Sequence, residues 1–139
     1  MSAKAASYVL DSYALLALLE DEPSAERVSE AVADSATTKY MSVVNFGEVL
    51  YVLERRRSAK ASREVRQAFE DSPEITLVEV TVERAAMAAV LKARGGMAFA
   101  DCFAAALAEE TNGTVLTGDP EFAQVEGEVN IEWLTGKKP

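Results

Sequence analysis

Four carboxylates in this 139-residue chain lie in or at the end of largely apolar stretches: Asp11 in YVLDSYALLALL, Glu48 in MSVVNFGEVLYVL, Asp101 in MAFADCFAAALAEE and Asp119 in TVLTGDPEF. One such acid has an ordinary use, since in a first helical turn it interacts favourably with the positive end of the helix dipole, by about 0.3–1 kcal/mol. Four that converge have another. Two carboxylates about 5 Å apart repel by roughly 3 kcal/mol at an effective dielectric near 20. A domain with about 5–15 kcal/mol of total stability cannot absorb several such pairs without protons or a cation. Oxygen-only ligands favour a hard ion, Mg²⁺ or Mn²⁺. Such an ion makes a nucleophile of water and offsets charge on a phosphate, so metal-assisted phosphodiester hydrolysis is the leading chemistry.

The composition closes off other chemistries. The chain has no histidine, which excludes Ser-His-Asp triads, Cys-His pairs and histidine zinc sites. Its single cysteine, Cys102, cannot form an internal disulfide and reads as a small buried side chain in an apolar helix. With 14 basic against 23 acidic residues the net charge is -9, which argues against holding nucleic acid through bulk charge. The one basic concentration is Arg55-Arg56-Arg57, followed by Lys60, Arg63 and Arg66. Its ordinary reading is a solvated helix end that complements the dipole, and its functional reading is contact with an RNA backbone. No apolar run reaches the length of a membrane span and no signal-type segment opens the chain, so a cytoplasmic protein is expected.

The acids need elements to position them. Apolar patterning predicts strands at residues 8–10, 38–41, 75–80, 114–116 and 129–131. Helices are predicted over 12–20, from 23–24 onward, from Ser42 to about 57, over 59–69, from Thr81 to the Gly95-Gly96 stop, and over 98–110, with a short helical segment at 120–124. Strands alternating with helices imply one three-layer α/β/α domain with a central, mostly parallel sheet, because parallel neighbours need crossover connections. Ligands in such sheets bind beyond the carboxyl ends of the strands. Asp11 directly follows the first strand. The predicted 98–110 helix, about 18–20 Å long, and the strand after it return the chain to its starting edge, so Asp101 and Asp119 meet there. Glu48 interrupts the apolar face of its helix, and Asn45, one turn earlier, is placed to bond to it. Ser42 is read chiefly as an N-cap. Phe46, Val49, Leu50 and Leu53 lie away from Glu48 and cover either a partner or the neighbouring helix of the same domain.

The four quoted stretches, in this order and at these spacings, resemble the PIN domain family, most closely its VapC-type toxins. The resemblance runs from about Tyr8 to about Leu134. It implies a single PIN-like nuclease domain over residues 1–139 and an Mg²⁺- or Mn²⁺-dependent endoribonuclease, the toxin of a toxin–antitoxin pair. Asp11, Glu48, Asp101 and Asp119 would surround the metal, with Ser12 and Thr117 as supporting hydroxyls. It also implies an RNA substrate, a cognate antitoxin and a homodimer. The alternatives are a PIN-domain RNA-processing nuclease that is not a toxin, and a catalytically silent PIN-like binding module. Two other acid-bearing α/β classes fit worse. A phospho-acceptor receiver domain needs an acidic pair near the first strand and a lysine after the last. A haloacid-dehalogenase-type phosphatase needs an Asp where this chain has Tyr13.

Overall fold

The computed structural model describes residues 6–134. The chain runs β1 (Ser7–Leu10), α1 (Ser12–Leu19), α2 (Ala25–Ala33), β2 (Thr38–Ser42), α3 (Val43–Arg56), α4 (Ala59–Asp71), β3 (Thr76–Val78), α5 (Val82–Ala93), α6 (Phe99–Thr111), β4 (Thr114–Thr117), a 3-10 turn (Pro120–Val125) and β5 (Asn130–Trp133). The strands form one sheet in the order β3-β2-β1-β4-β5, and every pairing is parallel. Helices cover both faces, as the alternation of elements predicts.

Strand periodicity of two sends neighbouring side chains to opposite faces. Val9 and Val115 join a core cluster with α5, α6, Phe122 and Val125, whereas Leu10, Met41 and Leu116 join another with α1, α2, α3 and Ile75. Near α6 the packing is tight: every residue from Asp101 to Ala108 is buried. Alanines at 104, 105, 106 and 108 let this helix lie close to the sheet on one side and α5 on the other. Gly95 and Gly96 end the preceding turn at φ 82° and 88°, a region that side chains with a Cβ rarely adopt.

The edge strands depart from the expected bounds. β3 is shorter than 75–80, and β5 begins and ends later than 129–131. An edge strand pairs on one side only, so its ends depend on where the neighbour's ladder stops, which apolar alternation does not encode. The second apolar face of α3 is covered from within the domain: Val49 and Leu53 are fully buried, and the Phe46 ring meets Phe69 of α4 at 4.6 Å between centroids. Tyr51 remains exposed on α3, and the other large exposed apolar side chains are chiefly Val82, Met87 and Val90 on α5 and Phe99 on α6.

Candidate metal centre

From β1 the chain crosses to β2 and β3 on one side of the sheet, while β4 and β5 lie on the other. Connections diverge at the carboxyl ends of β1 and β4, and a crevice opens there. Asp11 follows β1, and Thr117 closes β4. Both are held by local geometry. Asp11 is the N-cap of α1, its Oδ1 accepting from the Ala14 amide at 2.9 Å, and its Oδ2 accepts from the Thr117 hydroxyl. Thr117 Oγ1 in turn accepts from the Asp119 amide at 3.0 Å, which leaves its own proton to be donated to Asp11. Asp119 caps the 3-10 turn, accepting from the Glu121 amide at 2.9 Å. Gly118, between Thr117 and Asp119, lets the backbone pass against the Tyr13 ring, where a Cβ would collide.

Asp11 is 1% exposed and Asp101, in the first turn of α6, 5%. Burial pushes the Asp11 carboxyl up to about 7. The Thr117 and Ala14 hydrogen bonds work against that rise, and the charges of Asp119 and Glu48 add to it. Burial also drives Asp101 well above the ordinary carboxylate range, reinforced by the charges of Asp119 and Asp11. Carboxylate oxygens of Asp101, Asp119 and Glu121 lie within 4.8 Å of one another. Glu48 on α3 is half-buried, and its Oε1 is a buried acceptor with no hydrogen-bond partner.

The four acids read from sequence therefore share one edge of the sheet. The supporting residues divide. Thr117 orients Asp11, whereas no hydrogen bond among the described residues joins Ser12 to an acid. Ser42 caps α3 by accepting from the Val44 amide at 3.2 Å. Asn45 does not bond to Glu48: its Nδ2 donates to the carbonyl of Ala100 on α6 at 3.0 Å, because its side chain meets that helix first. Arg55, Arg56 and Arg57 lie at the far end of α3, about 10 Å along the axis from Glu48. There Arg56 pairs with Glu20 at 2.7 Å, and Arg55 lies 5.9 Å from the centre of the Tyr51 ring.

Sequence reasoning missed Glu121. The 3-10 turn folds it back so that its Oε1 accepts from the amide of Ala98, the N-cap of α6, at 2.6 Å. A signal was available, because Ala98 has no side chain that can cap the exposed amides of a helix start, and another residue must supply the acceptor.

These donors are carboxylate and hydroxyl oxygens, without histidine or an accessible thiol. That set fits a hard divalent ion, and the unpaired Glu48 Oε1 is the kind of buried acceptor such an ion would satisfy.

Known proteins share this chain's sequence pattern and its fold. The sequence model of the PIN domain matches residues 8–128. A protein named Ribonuclease VapC from Mycolicibacterium smegmatis is 33% identical over 108 residues, covering 73% of this chain and 82% of that protein. Among solved structures, Mycobacterium tuberculosis VapC20, described as a Sarcin-Ricin loop cleaving toxin, superposes with a TM-score of 0.73 at 17% identity over 95% of this chain and 99% of its own. A toxin-antitoxin complex from Klebsiella pneumoniae contains a chain with a TM-score of 0.67 at 15% identity, over 91% of this chain and 97% of that one. At those identities the structural likenesses establish the fold.

Proposed function

The chain belongs to the PIN domain family, and from that premise we propose that it is an endoribonuclease that hydrolyses RNA phosphodiester bonds with Mg²⁺ or Mn²⁺ and acts as the toxin of a toxin–antitoxin pair. One observation carries the reading: Asp11 and Asp101 are buried beside further acids, and among the described residues no basic side chain is hydrogen-bonded to either. Such crowding is tolerable at neutral pH only with a divalent ion or bound protons.

Asp11, Glu48, Asp101 and Asp119 would hold the ion, and Glu121 joins them as a fifth acid that also caps α6. When bound, the ion would lower the pKa of water and offset negative charge on the phosphate. The chain's own groups prepare the site. Thr117 and the Ala14 amide hold the two Asp11 oxygens, and the Asp119 amide sets the direction of the Thr117 proton. Burial of Asp101 in a helix packed on both sides fixes its reach and excludes bulk water.

The Arg55-Arg56-Arg57 run serves in this reading as a peripheral contact for the RNA backbone. A second copy of the chain covers the exposed apolar residues of α5, among which Val82 is 87% exposed. An antitoxin is the expected protein partner, as in the Klebsiella pneumoniae complex. No helix among the described residues is long and apolar enough to cross a membrane, in keeping with action in the cytoplasm.

The test is direct. Purified protein freed of any partner should cleave RNA with MgCl₂ or MnCl₂ and stop in EDTA. Absence of cleavage under all metal conditions would leave the silent binding module. Cleavage of many RNAs without growth arrest on expression would instead identify a processing nuclease.

A further inference from the structure

Glu48 and Asp101 stand on helices far apart in the chain, and the side chain that ties those helices beside them is Asn45. It lies in the first turn of α3, fully buried, and its Nδ2 donates to the Ala100 carbonyl, one residue before Asp101. Asn45 and Glu48 are three residues apart, so they share a face of α3 with their Cβ atoms about 5–6 Å apart.

A purely structural role does not account for the other half of this carboxamide. Buried side-chain acceptors nearly always have a donor, yet Asn45 Oδ1 has none, and Glu48 Oε1, one turn on, is in the same condition. Among the described residues these are the buried side-chain polar atoms without a hydrogen-bond partner. Two unpaired acceptors on one helix face, beside a cluster of carboxylates, need donors that the protein does not supply. A hydrated divalent ion brings them, since a hard ion such as Mg²⁺ keeps several of its waters when bound by carboxylates.

We infer that Asn45 is a positioning residue for the divalent ion, its Nδ2 setting the spacing of Glu48 and Asp101 through Ala100 and its Oδ1 accepting from the ion's hydration shell. The inference rests on the reading of the acids as a divalent-ion site. It adds a residue that holds no charge and does not coordinate the ion, yet sets how tightly the ion is held. Removing groups that orient metal ligands typically lowers affinity 10–100-fold.

The test is calorimetric titration of Mn²⁺ into the full-length wild-type protein and three variants, with thermal unfolding measured alongside. Asn45→Ala should weaken Mn²⁺ binding at least about 10-fold. Val49→Ala, at a fully buried core position of the same helix, should lower the melting temperature yet keep the Mn²⁺ Kd within about twofold, because it opens a cavity without touching the site. Unchanged affinity in Asn45→Ala, or an equal loss in Val49→Ala, would overturn the inference while leaving the ion site standing. A wild-type protein that binds Mn²⁺ no better than Asp101→Asn would overturn the site and the inference together. Should Asn45→Ala fail to fold, the wild-type protein still decides: the chain has three asparagines, Asn45, Asn112 and Asn130. Added Mg²⁺ should shift the Asn45 side-chain amide resonance and leave the other two in place. An unmoved Asn45 signal at saturating Mg²⁺ would refute it.

Discussion

Two parts of this molecule draw carboxylates away from bulk water, and they treat the charge in opposite ways. Glu132 on β5 receives a two-pronged grip from Arg27 on α2, at 2.6 Å from Nε and 2.9 Å from Nη2, and the same guanidinium reaches the Tyr8 hydroxyl at 3.3 Å. The hydrogen bonds and charge of Glu132 raise the Arg27 pKa. Each charge there has its opposite, and the pair remains about a third exposed. At the carboxyl edge of the sheet, Asp11 and Asp101 are buried more deeply and gather further acids instead of a cation. The first arrangement joins an edge strand to a helix. The second keeps like charges together at a cost in stability, which makes sense only if something else is to complete it.

That contrast can be broken most sharply at Asp101. Replacing it with Asn should lower RNA cleavage by at least about a thousandfold, as loss of a group acting on the metal and phosphate does. The same change should raise the melting temperature of the metal-free protein at pH 8, by roughly 3 °C or more, because a carboxyl that burial forces to take up a proton on folding has been replaced by a neutral amide. A lowered melting temperature with intact cleavage would place Asp101 with the structural acids, alongside Glu132.

The pH dependence follows from Asp11. Its carboxyl holds a proton up to about 7 when folded and to 3.8 when unfolded. Below about 4 both states are protonated and the full stability is present. As pH rises toward 7 the unfolded state gives up its proton first, so stability falls. The loss is on the order of 4 kcal/mol for this one group. Metal-free protein should therefore melt at a lower temperature at pH 8 than at pH 5, and Mn²⁺ should restore stability at pH 8 while adding little at pH 5. Scanning calorimetry with and without EDTA measures both, and a flat pH profile would contradict the buried-acid account.

Thr117→Val separates orientation from charge. It preserves shape but removes the donor to Asp11 and the acceptor for the Asp119 amide. A stability loss of about 1–3 kcal/mol is expected from the unpaired buried groups, with at least about a tenfold fall in cleavage from the misdirected carboxylate. The smallest effect belongs to the other region. Glu132→Gln should cost about 1 kcal/mol or less, since exposed pairs are screened by solvent. That cost should shrink further in salt, and cleavage should stay unchanged.

Sequence alone determined the alternation of strands and helices, the parallel three-layer sheet, and the four acids at its carboxyl edge. These follow from short-range rules: apolar period, caps such as Ser42, glycine stops, and the fact that a parallel crossover brings the chain back to its starting edge. Tertiary structure decided which side chains from distant segments meet. Glu121 reaches the α6 start because a 3-10 turn reverses the chain after Asp119, Asn45 bonds to Ala100 and not to its helix neighbour Glu48, and the Arg55-Arg56-Arg57 run ends up beside Glu20. The physical reason is one of range. A cap or a periodicity is settled within a few residues, whereas the partner of a buried polar atom is set by how whole helices pack, and no local pattern records that.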